Sequence, residues 1–262
     1  MDQLEDWARS LTRMKVMSYL DVKVRSGGLI GGRKLYKLMH EHFGDVRIED
    51  LDIPYVCVAT DMVTGHEVWI RKGKLIDAMR ASFALPGVFP PVRRHNRWLV
   101  DGALVNPVPL SICQALGSNM TIAVNLNADI TGKARKRGEK ISTVAGFDPL
   151  EDDGIGGFAR KIPVARRLFK RDKEGPSLFG VMVSSLNIVQ DRLARSRLAG
   201  EPPDINLVPR IGHIGLMEFE RVDELIESGE IAVERMLPEI QDAYQVLCVD
   251  SFDEYEEPGG AI

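Results

Sequence analysis

Residues 53–70 read IPYVCVATDMVTGHEVWI, and the class of fold turns on this stretch. Ile53 to Thr60 is a continuous apolar run rich in β-branched residues. That pattern predicts a strand covered on both faces rather than one side wet. Thr64-Gly65 then supplies a turn, and Glu67 to Ile70 predicts the returning strand of a hairpin. Downstream, Leu75 to Leu85 has helical periodicity and stops at Pro86-Gly87. Arg97 to Val100 predicts a short strand, Pro107 to Leu116 a helix closed by Gly117, and Thr121 to Asn127 (TIAVNLN) another buried strand. Ile205 to Arg210 predicts a last strand. Helices are expected over Leu4 to Met17, over Leu35 to Phe43, and as two polar-faced pieces, Met217 to Glu227 and Glu230 to Leu247. Apolar strands alternating with helices indicate an α/β fold with a mostly parallel sheet.

Composition removes several classes of function. The 262 residues carry a net charge of -4 and 44% apolar side chains, as a soluble globular protein does, and nothing global points to nucleic acid. Cys57, Cys113 and Cys248 are too few and too scattered for a disulfide framework or a metal site, so reduced thiols and a cytoplasmic setting are expected. The five histidines lack ligand spacing, and no metal or cofactor is implied. SGGLIGGRK (Ser26 to Lys34) has Arg33-Lys34 where a phosphate loop needs Lys-Ser or Lys-Thr, and no strand precedes it. It reads as a corner feeding a helix.

Residues 131–175 stand apart: 12 Lys/Arg against 7 Asp/Glu, a local +5 in an acidic chain. They read as a basic, variable insertion or surface loop. Residues 155–171, which mix Phe158, Ile162 and Leu168 with Arg160, Lys161 and Arg166, are a candidate for peripheral contact with anionic lipid. Residues 250–262 form an acidic tail.

A hydrolytic nucleophile is the next thing to seek. Serine on a nucleophile elbow sits in G-x-S-x-G, and no stretch of this chain has that pattern. Ser177, in GPSLF, has Phe179 where the second glycine belongs. The candidate acid–base residue is Asp101, in WLVDGALVNPVP (Trp98 to Pro109). It sits at the C-terminal end of a predicted strand, where α/β folds bind ligands, and Gly102 lets the chain turn sharply after it. The residues alone leave a plain structural turn equally open. Asp61, in the ATD stretch, reads as polar scaffolding.

Several segments taken together resemble one family. VATDMVTGHEVWIRKGKLIDAMRAS (Val58 to Ser82), ASFALPGVFPPV (Ala81 to Val92), WLVDGALVNPVPLSICQALGSNMTIAVNLN (Trp98 to Asn127) and MEFERVDELIESGEIAVERMLPEI (Met217 to Ile240) resemble, in order, the carboxyl portion of a patatin-like phospholipase domain. The likeness is to the bacterial branch similar to neuropathy target esterase. It implies a three-layer α/β/α fold and a Ser-Asp dyad, with Asp101-Gly102-Ala103 as the Asp-Gly-Ala motif and Asp101 as general base. It implies lipid or ester substrates. That family's glycine-rich oxyanion loop and G-x-S-x-G serine precede the matching region and have no counterpart in these 262 residues. The chain is therefore expected to be a single incomplete domain over 1–262, lacking amino-terminal strands and inactive by itself. The alternative is a non-catalytic binding or regulatory module derived from such a domain.

Overall fold

The computed structural model describes residues 2–12, 15, 31–128, 178–214 and 218–249. The basic segment 131–175, with its candidate lipid contact at 155–171, the acidic tail 250–262, Ser177 and most of the glycine cluster lie outside the described residues.

The chain is α/β, with helices set against two sheets. β1 (Cys57–Asp61) lies inside a four-stranded sheet of order β2-β1-β4-β3, with β2 (Glu67–Ile70), β3 (Val92–Arg94) and β4 (Arg97–Asp101). All five residues of β1 are buried. One face lies under the helix Leu75–Ser82, whose Ala78 and Ala81 let it approach Cys57, Ala59 and Leu99 closely. Small residues at those two helical positions explain the tight packing. The other face of β1 lies under the 3₁₀ turn Gly102–Leu104.

The sense of the strands departs from the mostly parallel sheet expected. All three pairings in the four-stranded sheet are antiparallel. The parallel pair is β5 (Ile122–Val124) with β6 (Ile205–Leu207). The connections give the reason. A five-residue loop, 62–66, joins β1 to β2, and the pair His95-Asn96 joins β3 to β4, too short for any parallel crossover. Both residues of that second turn have positive φ, 44° and 64°, the geometry of a type I′ hairpin. An apolar run signals burial on two faces, and an antiparallel centre strand satisfies it as well as a parallel one.

The remaining elements follow the sequence with shifts. We number the helices α1 (Asp2–Arg9), α2 (Arg33–Phe43), α3 (Leu75–Ser82), α4 (Leu110–Ala115), α5 (Leu178–Gly200) and α6 (Val222–Tyr244). Gly32, at φ 68°, caps α2, as the corner reading required. The two carboxyl-terminal helices expected are one: α6 runs through Gly229 and Pro238. α5 has no counterpart in the sequence reading. Its buried residues include Gln190 and Asp191 beside Val183 and Ala194, so the apolar periodicity that reveals a helix is diluted. Strand β5 is not covered on both faces as expected. Ala123 packs against Val108, Leu110 and Ala194, while Ile122 and Val124 are half exposed. α6 packs over the paired β6, where Ile205 and Leu207 are buried.

A carboxylate ties β5 to β6. Asp204 accepts hydrogen bonds from the Thr121 amide and hydroxyl, both at 2.7 Å. The Thr121 side chain and amide hold the Asp204 carboxyl below its ordinary value. A depressed carboxylate stabilises the fold above its unfolded pKa, and that contribution disappears as pH falls through the folded value. Asp204→Asn should therefore lower stability at neutral pH, by no more than about 1 kcal/mol because solvent screens this exposed carboxylate. The deficit should shrink below roughly pH 4. Urea unfolding of both proteins at the two pH values measures it.

Candidate active site

Asp101 ends β4 and caps the turn after it. Its Oδ1 accepts a hydrogen bond from the Ala103 amide at 2.8 Å. Its own amide donates to Ala84 O at 3.0 Å, just past the end of α3. Its carbonyl accepts from the Thr60 hydroxyl at 2.8 Å, and its register partner is Ala59 of the centre strand. Strand, helix end and turn thus hold the residue from three sides. Among the described residues the second carboxylate oxygen has no partner, and it is not sealed from solvent. Burial raises the carboxyl above its ordinary value, against the lowering effect of the Ala103 amide. An oxygen that is unbonded, poorly solvated and reachable can accept a proton from an incoming hydroxyl.

Gly102 serves the site through space. Its φ is not positive, so the freedom to turn is not what demands glycine here. A Cβ at this position would lie 2.4 Å from Val58 O and 2.7 Å from Val58 C, inside the backbone of the centre strand. The turn can sit on β1 because residue 102 has no side chain. Ala103 contributes its amide to Asp101.

Residues that the motif reading passed over fix the far side of the turn. The Asn106 and Val105 amides both donate to Gly102 O. Asn106 is buried, and its Nδ2 donates to both oxygens of Glu67, at 3.2 and 3.1 Å. Trp69 Nε1 donates to the same carboxylate at 2.6 Å. Arg197 of α5 donates to Val105 O at 3.2 Å and lies 3.9 Å from Glu67. Asn106 had a visible signal, an Asn-Pro stop five residues after Asp101. Glu67 and Arg197 had none, because their partners are remote in sequence.

Asp61 has a different task. It is buried, and its Oδ1 accepts from the amides of Val63 at 3.0 Å and Thr64 at 3.3 Å. The Val63 amide is the main cause holding its carboxyl below the ordinary value, helped by Thr64 and by Arg97 at 3.8 Å. It organises the β1–β2 hairpin. Among the described residues no cluster of three His, Cys, Asp or Glu could hold a metal ion.

Residues 2–113, which include Asp101, Gly102 and Ala103, match the patatin-like phospholipase family. A Mycobacterium tuberculosis protein named as an NTE family protein is 32% identical over 272 residues, covering 87% of this chain and 75% of that one. A second NTE family protein of the same species is 26% identical over 226 residues, 83% of this chain and 34% of its own length. The Drosophila melanogaster neuropathy target esterase sws is 30% identical over 139 residues, 52% of this chain and 10% of that protein. With an Asp-Gly-Ala turn seated on the centre strand and a likeness that spans most of both chains, this protein belongs to the NTE family of patatin-like proteins.

Proposed function

We propose that this chain carries the proton-accepting half of a serine lipid hydrolase, with Asp101 as general base. The family supports hydrolysis of lipid or ester substrates. The observation that carries the reading to a residue is the Asp101 carboxylate, fixed through one oxygen and desolvated with the other unbonded. In this scheme a serine hydroxyl attacks the ester carbonyl while Asp101 takes its proton. The proton then goes to the departing alkoxide, leaving an acyl-enzyme. A water molecule attacks next, Asp101 accepts its proton, and the fatty acid leaves as serine is reprotonated. Phospholipids, lysophospholipids and simple esters all present the required carbonyl. Asp101 supplies the proton transfers of this scheme, which calls for no metal or organic cofactor.

The serine must come from outside these 262 residues, which hold no G-x-S-x-G. The same fact favours a second reading, a lipid-binding or regulatory module without turnover. A fluorophosphonate probe separates the two. The natural polypeptide, expressed with whatever coding sequence adjoins this region, should be labelled on a serine outside residues 1–262 and should hydrolyse a soluble short-chain ester. Absence of both labelling and hydrolysis would leave the binding module standing.

A further inference from the structure

The β1–β2 and β3–β4 hairpins end side by side: the Met62 amide donates to Trp98 O, and Arg97 lies 3.8 Å from Asp61. Beside them is a groove of about 680 Å³, within the range of ligand-sized cavities. Its floor is apolar, formed by Val68, Ile70 and Leu99. Its rim carries the cations Arg71, Lys72, Arg94 and Arg97, with His95 among them. Arg94 reaches from edge strand β3 to the Lys72 carbonyl beyond edge strand β2, and so closes one side of the groove.

This patch reverses the sign of the whole chain, which carries -4. The nearby carboxylates have other partners, and Asp61 also lies 3.8 Å from Arg97 of the rim. Asp61 is held by the Val63 and Thr64 amides, Glu49 by Arg47 and the Gly73 amide, and Glu67 by Trp69 and Asn106. Among the described residues Arg71 and Lys72 are exposed and have no acidic partner. The hairpin tip next to the groove is apolar where water would favour polar groups. Val63 is 80% exposed and Met62 59%, and Trp98, within neighbouring β4, is 44% exposed. Arg93 lies over the Trp98 ring, 6.0 Å from its centroid.

We propose that the basic groove and the adjoining hairpin tip form a docking surface for an anionic lipid bilayer. Val63 and Met62 would enter the acyl boundary, and Trp98 would sit at headgroup level, where an amphipathic ring is stable. The arginines and Lys72 would meet the lipid phosphates and carboxylates, their alkyl stems lying along the apolar surface. Contact of this kind lies on the membrane and does not span it. No helix among the described residues is long and apolar enough to cross one. The inference does not rest on the hydrolase reading, since a bilayer can be bound without turnover.

Co-sedimentation tests it with two vesicle types, phosphatidylcholine alone and phosphatidylcholine mixed with phosphatidylserine. The wild-type chain should bind the mixed vesicles more tightly, and added salt should weaken that binding. Each basic group near an anionic surface contributes roughly fivefold, so Arg71→Glu with Lys72→Glu should weaken binding by at least ~25-fold. Val63→Asp should weaken it by about tenfold or more through loss of apolar contact. These side chains are solvent-exposed, so melting temperatures should stay at the wild-type value, which separates lost binding from lost folding. Equal wild-type affinity for both vesicle types, no wild-type binding to either, or wild-type affinity in the double variant would overturn the proposal. Hydrolysis of a soluble short-chain ester is scored separately, so failure of the docking surface and failure of the hydrolase reading give different patterns.

Discussion

Asp101→Asn should cut kcat/KM for ester hydrolysis by about 10²–10⁴ while leaving the protein at least as stable at neutral pH. The two effects share one cause. Burial raises the Asp101 carboxyl, so the folded chain holds the ionised form at a cost. For a carboxyl whose folded pKa lies above its unfolded pKa, folding favours the protonated state. Stability therefore declines as pH rises from the unfolded value through the folded one. An amide has no such ionisation. The substituted side chain would keep an oxygen for the Ala103 amide and so retain the cap at 2.8 Å. It would have no carboxylate to take the proton. The expected pattern is a variant that melts at or above the wild-type temperature at pH 7, an advantage that fades as pH falls below the ordinary aspartate range. Activity is to be measured on the polypeptide that carries the serine. There the acid limb of the wild-type pH–rate profile should lie above the pKa of an ordinary aspartate. Wild-type turnover in the amide variant would remove Asp101 from the mechanism.

Gly102→Ala should damage both the fold and the site. The added Cβ would lie 2.4 Å from Val58 O and 2.7 Å from Val58 C. These are backbone atoms of a fully buried centre strand, so no rotamer change relieves the clash. The turn must lift off β1, with an overpacking cost of about 1–3 kcal/mol or more. Lifting the turn also moves the Ala103 amide away from Asp101 and disturbs the hydrogen bond from Thr60 to the Asp101 carbonyl. Urea unfolding and ester turnover should both suffer. Gly200→Ala is the matched control. It lies at the end of α5 with nothing within 4 Å of its would-be Cβ, and alanine there should be neutral or mildly stabilising. Equal stability of Gly102→Ala and wild type would disprove the close-approach account.

The site was legible in part. Asp101 and the glycine after it stand out because an Asp-Gly pair ends an apolar run. The supports of that turn do not. Glu67, Arg197 and Val58 matter through contacts with residues far along the chain, and no local pattern marks them. The reason for glycine at 102 also changed. Sequence suggests a sharp bend, whereas the structure shows a missing Cβ where a strand backbone passes.

The amino-acid sequence by itself determined the hairpin at Thr64-Gly65, the helix beginning at Leu75, the corner at Gly32 and the capped turn at Asp101. Each depends on backbone preferences and contacts within a few residues. Tertiary structure alone decided the pairing of β1 with β4, the half-covered state of β5, the long helix with Gln190 and Asp191 in its buried face, and the space denied to residue 102. Those features join groups as distant as Thr60 with Asp101, 41 residues apart, and Thr121 with Asp204, 83 apart. Contacts at that range exist only once the layers have packed, so periodicity and turn chemistry carry no record of them.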